Sequence, residues 1–307
     1  MKITWFGTAS IRIDIQGLSL LFDPFVPLPG ACFSLSVDDF LPAPHVFITH
    51  GHLDHLISVP ELVARGAGTV YATAAPCAIL AEQGVLSESL RTITPGDELR
   101  FLPRAGSCVS DELRFLPRTG SCVSDELRFL PRTGSSVSDE PQPLLTAHTD
   151  TATVKVLQGT HIQFDILLAL ATLLSPRMLH HRANADMMRK ANKTFREHNE
   201  TVVYEVSHGD VLVTVMGSLA LVDEELYTAH PDLLICPYQG NTHLEPIALS
   251  IIERLMPRTV MLNHFDDSFP PISRAINTDP LVKTMAQRHP EIQVIVPTRG
   301  VSYSVHP

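Results

Sequence analysis

The apolar positions of the first fifty residues fall at strand spacing. ITWFG (3–7), SIRIDI (10–15) and LSLLFD (18–23) are short, rich in β-branched and aromatic residues, and separated by Gly-containing turns, so each predicts a strand. SIRIDI alternates apolar and polar residues, the period of a half-buried strand. HVFI (45–48) is mostly apolar, as expected of a strand covered on both faces. LISVPELVARG (56–66) then predicts a helix, TVYAT (69–73) a strand and PCAILAEQGV (76–85) another helix.

The second half resumes with TATVKVLQG (151–159) as a strand and a helical stretch over 165–198. TVVYEVSHGDVLVTVMGS (201–218) predicts two strands turning at HGD. DLLICPY (232–238), TVMLNHF (259–265), IQVIVP (292–297) and VSYSV (301–305) predict strands, with helices around 245–256 and 278–289. Both halves thus carry strands with interspersed helices. The expected fold is α/β (α+β): two packed sheets with helices outside, in a single domain over 1–307.

A repeat interrupts the pattern. DELRFLPRAGSCVS begins at Asp97, DELRFLPRTGSCVS at Asp111 and DELRFLPRTGSSVS at Asp125, a period of 14 residues, and DE recurs at Asp139. Near-identity indicates tandem duplication. Three copies could form a small stacked array. Few large apolar residues per copy, with Pro and Gly breaking longer elements, favour an expanded surface loop or hairpin over 97–140, poorly ordered and without a catalytic role.

Composition narrows the function. With 44% hydrophobic and 18% charged residues the chain has the means for a large core. A net charge of −10 argues against a general nucleic-acid or anionic-membrane surface. Five cysteines, an odd number without a CxxC pair, imply neither a disulfide framework nor a Cys-type zinc site. The N-terminus lacks a signal-peptide apolar region, and no apolar run reaches about 18 residues. A cytoplasmic protein is expected. The basic positions Arg177, Arg182, Arg189, Lys190, Lys193 and Arg196 read as a solvated helix face, or else as a lid offering positive charge to an anionic substrate.

The chemistry concentrates in THGHLDH (49–55), directly after HVFI. Imidazole and carboxylate are the nitrogen and oxygen ligands of zinc and similar ions. His50 and His52, two apart, point to one side of an extended stretch. Asp54 and His55 follow at a helix start that can swing them back to the same cavity, and Gly51 permits unusual backbone between the pairs. The spacing gives two ligand pairs, able to serve two adjacent metals.

THGHLDH resembles the HxHxDH signature of the metallo-β-lactamase superfamily. The opening KITWFGTASIRIDIQGLSLLFDPF is similar to that of its ascorbate-6-phosphate-lactonase-like and uncharacterised metal-dependent hydrolases, and GTHIQFD and LNHFDDSFPP resemble later segments of that branch. The resemblance implies an αββα sandwich with metals at the edge between the sheets. It implies His161 as a third histidine for the first metal and His264 as the last ligand of the second. It also implies a bridging aspartate in a Gly-Asp pair, but here that place reads MGSL, with Ser218. A neutral serine is a poor bridge, so the centre holds either one ion or two joined through hydroxide. Asp266 or Asp267 could supply the missing charge, Asp266 being better placed, with Asp223 behind them. Asp23, in FDPF, is either a turn-forming Asp-Pro or a residue that hydrogen-bonds a ligand histidine and fixes its tautomer. His243 is a further candidate for the pocket. His180, His181, His198, His208, His230, His289 and His306 are expected at the surface or in turns.

The function implied is a metal-dependent hydrolase using a metal-activated hydroxide on a small anionic ester, lactone or phosphate ester, with Asp54 orienting the nucleophile or shuttling its proton. Zinc is the first choice of ion, with manganese or iron as alternatives. The partner is a small molecule rather than nucleic acid or membrane, and a homo-oligomer stays open. The rival readings are a phosphodiesterase or nuclease of the same superfamily, a metal-binding regulatory protein without catalysis, and a di-iron redox protein.

Overall fold

The structure, a computed structural model, describes residues 1–102, 151–163, 165–223 and 225–307. Two seven-stranded sheets face each other. The first holds β1 (Lys2–Gly7), β2 (Ser10–Ile15), β3 (Leu18–Phe22), β4 (His45–Phe47), β5 (Thr69–Ala72) and β6 (Leu90–Thr92), with β14 (Ser302–Ser304) on the free edge of β1. The second runs from β7 (Glu98–Phe101) through β8 (Ala152–Gln158), β9 (Val202–His208), β10 (Val211–Met216), β11 (Leu233–Pro237) and β12 (Thr259–Asn263) to β13 (Gln293–Ile295). Each sheet has an antiparallel part (β14 with β1 to β3, and β7 to β10) and a parallel part (β3 to β6, and β10 to β13).

The alternation seen in the sequence becomes three apolar layers. Between the sheets lie Ile11, Ile13, Phe22, Phe47, Val154, Tyr204, Val213 and Met261, among others. Val46, Ile48 and Leu21 turn outward under α1 (Leu53–Leu56), α2 (Val59–Ala64) and α3 (Ala74–Glu82). Leu234, Cys236, Val260 and Leu262 turn outward under α7 (Leu244–Leu255) and α8 (Asp279–Arg288). The layers are therefore helix, sheet, sheet, helix, as expected. The Tyr204 hydroxyl donates to the Ile48 carbonyl at 2.6 Å, tying one sheet to the end of β4 in the other.

Two expectations change. The stretch 165–198 is not one helix but three: α4 (Ile166–Leu173), α5 (Arg177–His180) and α6 (Arg182–Ala191). The Asp165 carboxylate accepts from the Leu167 and Leu168 amides and starts α4, and Pro176, which lacks an amide hydrogen, separates α4 from α5. Arg182 and Arg189 flank Asp186 on an exposed helix face, and Arg177 pairs with Asp267 at 2.6 Å. The first repeat copy is also not all loop. Its residues 98–101 form β7, with Leu99 and Phe101 buried in the inter-sheet core and Glu98 and Arg100 paired outside. Residues 103–140 of the expected insertion lie outside the described residues.

Because copy one alone supplies β7, deleting 111–138 is expected to leave the fold intact, with a thermal midpoint within a few degrees of the full chain. In that shortened chain Leu99→Asp, which buries a charge in the core, is expected to cost about 3 kcal/mol or more in urea denaturation. An unfolded deletion product would show that the repeats are structural.

Candidate metal centre

The histidines and aspartates sit where strands end. Asp23 follows β3, the THGHLDH segment follows β4, His161 follows β8, Ser218 follows β10 and His264 follows β12. The strand ends bring six donor atoms into two groups: His50, His52 and His161, and Asp54, His55 and His264, with the atoms of each group within 4.8 Å of one another. The groups adjoin, the His50 and His55 rings lying 3.9 Å apart between centroids.

Local structure explains how one heptapeptide serves both groups. His52, on extended backbone, is the cap residue of α1, and His50 Nε2 lies 3.1 Å from its Nδ1. The first turn of α1 carries Asp54 and His55 back over the strand end. Asp54 Oδ2 lies 3.0 Å from His264 Nε2 and 3.6 Å from His55 Nε2. Gly51 is required by a close approach: a Cβ there would sit 2.1 Å from the Arg196 carbonyl oxygen. That crowding, rather than unusual backbone, is its reason. Gly217 plays the same part for Thr49, whose side chain would lie 2.2 Å from an added Cβ.

Four of the five imidazoles have their second nitrogen held. Asp23, 1% exposed and at a φ of 45°, is the hub. Its Oδ1 accepts from the Thr49 amide at 2.8 Å, and its Oδ2 from the Thr49 hydroxyl at 2.7 Å. The same Oδ2 lies 2.9 Å from His55 Nδ1. The Thr49 hydroxyl, having given its proton to Asp23, is left to accept from His50 Nδ1 at 3.1 Å. His161 Nδ1 donates to the Ile162 carbonyl at 2.9 Å, and His264 Nδ1 lies 2.8 Å from Gln239 Oε1. Each partner leaves Nε2 of its ring for the interior of the centre, the arrangement that orients imidazole ligands in metal sites. Thr49 and Gln239 were not singled out from sequence. Thr49 could have been noticed as a hydroxyl just before the first histidine, whereas nothing local distinguishes Gln239.

The remaining candidates are placed elsewhere. The Ser218 hydroxyl accepts from the Ile162 amide at 3.0 Å, so it braces the His161 loop. Asp266 accepts the Thr8 amide on both oxygens, at 3.0 and 3.1 Å, while the Thr8 carbonyl accepts the His264 amide at 2.7 Å. Asp266 thus clips the His264 turn without joining either group. Asp267 is taken by Arg177 and Ser273, and Asp223 lies beside Arg254. His243 is exposed at the start of α7 with Nδ1 on the Thr242 hydroxyl.

Electrostatics favours free lone pairs in the first group. Burial, then the neighbouring imidazoles, push His50 well below the ordinary histidine range. Burial outweighs the attraction of Asp54 and takes His52 down to about 4. Burial lowers His161 as well. In the second group burial pulls His55 down, but Asp23 and Asp54 together outweigh it and its pKa ends above normal. Burial disfavours the Asp54 carboxylate, yet His55, His264 and His52 hold its pKa far below the usual range.

With this geometry established, the relatives are informative. A family model described as a beta-lactamase superfamily domain matches residues 2–264. The chain belongs to that family, and its two-sheet sandwich is the metallo-β-lactamase fold. A protein of Xanthobacter autotrophicus named UPF0173 metal-dependent hydrolase is 38% identical over 90 residues, 27% of this chain and 37% of the relative. A similarly named protein of Carboxydothermus hydrogenoformans is 35% identical over 85 residues, 28% of this chain and 37% of the relative. The chain thus spans little more than a third of the length of these curated relatives. Among solved structures, Igni18, described as a novel metallo hydrolase from Ignicoccus hospitalis, superposes with a TM-score of 0.57 at 16% identity over 99% of both chains. An isothiocyanate hydrolase from Delia radicum gut bacteria gives 0.53 at 13% identity, also over 99% of both. At these identities the superpositions establish the fold.

The lowered histidine values fix a sign for acid sensitivity of the metal-free chain. Between about pH 6.5 and pH 4 the unfolded chain protonates His52 while the folded chain does not, so stability falls as pH falls through that window. His50 and His161 act in the same direction, and the raised His55 acts in the opposite one. The urea midpoint of chelator-treated protein is expected to drop between pH 7 and pH 4.5, and His52→Gln to flatten that slope.

Proposed function

We propose that this chain is a metal-dependent hydrolase acting on a small anionic ester, lactone or phosphate ester. The observation that carries the reading is the pair of three-donor groups whose imidazoles are pre-aimed by Asp23, Thr49, Ile162 and Gln239. The donor set fits divalent ions. His50 Nε2, His52 Nδ1 and His161 Nε2 would hold one, and Asp54, His55 Nε2 and His264 Nε2 the other. Imidazole with carboxylate suits zinc first, and manganese or iron also. Divalent ions bound there would supply water acidified toward neutrality and a Lewis acid for a carbonyl or phosphoryl oxygen.

The protein's own groups divide the remaining work. Asp54 stays ionised at neutral pH and lies against His55 and His264, so it orients attacking water and stabilises positive charge more than it stores a proton. It is the one carboxylate among the six donors. Two divalent ions would therefore leave the centre strongly positive, which supports an anionic substrate. The net charge of −10 speaks against a polynucleotide. A cytoplasmic setting agrees with Cys32, Cys77 and Cys236 being unpaired, and no helix among the described residues is long and apolar enough to cross a membrane.

Ser218, occupied by the Ile162 amide, favours a second reading: a centre holding one ion, or metal without turnover. Elemental mass spectrometry of the purified protein decides between them. Two ions per chain, both or one lost in His52→Ala, are expected, and Ser218→Asp is expected to tighten the weaker ion. Asp54→Asn should lower kcat about 100-fold or more on whichever ester or phosphodiester the protein turns over. Metal content with no turnover across a broad ester and phosphodiester panel would favour the regulatory reading, and absence of metal after reconstitution would end the hydrolase reading.

A further inference from the structure

The helix that follows the His161 turn is inside out. Along α4 and the residue after it, Ile166, Leu167, Leu170, Leu173 and Leu174 recur at i, i+1, i+4, i+7 and i+8, a single apolar stripe. Such a stripe ordinarily faces a core. Here the five side chains are 49 to 83% exposed, and none joins the three apolar layers formed among the described residues. The covered side is polar instead: Thr172 is buried, with its hydroxyl donating to the Leu168 carbonyl at 2.8 Å. Hydrogen bonds hold the helix at both ends. Asp165 accepts the Thr242 amide and hydroxyl, and the Ala171 carbonyl accepts from Arg274. Leu179 on α5 and Ile272, two residues before Arg274, add to the exposed apolar surface. A contiguous patch of this kind marks a surface that something else covers.

Charge indicates what covers it. The expectation of no membrane partner came from the net charge of −10, but that charge is unevenly spread. Residues 165–196 hold six Lys and Arg against Asp165 and Asp186, a net +4, which leaves −14 for the rest of the chain. Arg177 is spent on Asp267. Arg182, Arg189, Lys190, Lys193 and Arg196 are exposed, with Asp186 the exposed acid among them. The stripe and the cations are neighbours. α5 packs against both α4 and α6, and one loop meets both ends: the Pro270 carbonyl accepts from Asn184 on α6, while Arg274 reaches the end of α4.

We infer that α4 to α6 form a docking face for an anionic phospholipid surface. The leucine stripe enters the boundary between headgroups and acyl chains, and the exposed lysines and arginines meet the lipid phosphates. With eight residues, about 12 Å, α4 lies on a bilayer and does not cross it. A second copy of the chain is a poorer cover. A two-fold contact would set the same five exposed cations against themselves. The seven apolar side chains also fall well short of the roughly 20 residues a side of a stable interface. α4 starts five residues after His161 and rests on the loop that follows His264, so docking turns the donor end of the sandwich toward the lipid. The inference stands apart from the hydrolase reading, since it needs neither metal nor turnover.

The test floats the full-length protein with vesicles of phosphatidylcholine alone and of phosphatidylcholine with phosphatidylglycerol, at low and high salt. The expected result is binding to the anionic vesicles that salt weakens, with far less on the neutral ones. Leu170→Glu with Leu174→Glu is expected to lower partitioning about tenfold or more. Lys190→Glu with Lys193→Glu is expected to do the same with the stripe intact. All four side chains are exposed, so both double variants should keep the thermal midpoint and metal content of the unaltered protein. No flotation with anionic vesicles, equal flotation with neutral ones, or flotation that either double variant leaves unchanged would overturn the proposal. A dimer in light scattering that Leu170→Glu with Leu174→Glu dissociates, without vesicle binding, would overturn it in favour of a second copy. Flotation that appears only once residues 111–138 are deleted would overturn it in favour of the chain's own repeats.

Discussion

One buried carboxylate organises the centre. Asp23 accepts the amide and hydroxyl of Thr49 and lies on His55 Nδ1, and through the Thr49 hydroxyl it also fixes His50. It therefore determines the proton position on one imidazole in each donor group. A buried carboxylate with a single partner would be costly. Here the hydrogen bonds and the adjoining imidazole offset the desolvation, and the same contacts keep the rings from turning. Deleting the carboxylate would free two rings at once, and so Asp23 and Thr49 belong to the site as much as the donors do.

The sandwich delivers these groups to one place. Five strand ends contribute, those of β3, β4, β8, β10 and β12, and each strand is held in depth by the inter-sheet layer, where Phe22 stacks on Phe47 and the Tyr204 ring is tilted against one and edge-on to the other. Close packing there leaves the strands little room to shift. The Tyr204 hydroxyl on the Ile48 carbonyl then locks the start of THGHLDH to the opposite sheet. Precision in the donors is thus borrowed from hydrophobic contacts deeper in the molecule.

What could be read from the chain follows the range of the forces. Strands and outer helices were legible because burial imposes a local period, and Val46, Phe47 and Ile48 announce two covered faces. The six candidate donors stand out because THGHLDH is dense in ligand chemistry and His161 and His264 each follow an apolar run, and the structure brings them into two groups. Gln239, the Ser218–Ile162 bond and the Asp266–Thr8 clip were not, since each joins residues distant in sequence with no periodic mark. The division of 165–198 into three helices was visible only in Pro176. The strand in the first repeat carries only the alternation of Leu99 and Phe101, which Leu113 and Phe115 and then Leu127 and Phe129 repeat, so the sequence does not tell which copy pairs.

That strand gives the duplication an evolutionary meaning. The 14-residue unit opens with Asp97, one residue before β7, and every copy repeats the same DELRFLPR. An unequal exchange that adds or removes a whole unit hands the sheet the same edge sequence, entered by the same acidic pair and left by the same Leu-Pro-Arg. Leu99 and Phe101 of the first copy enter the core, and each later copy carries the same leucine and phenylalanine in sequence. The chain can lengthen and shorten there in whole units while the strand entering the sheet keeps its sequence, which makes the connection between β7 and β8 a natural place for new sequence to accumulate.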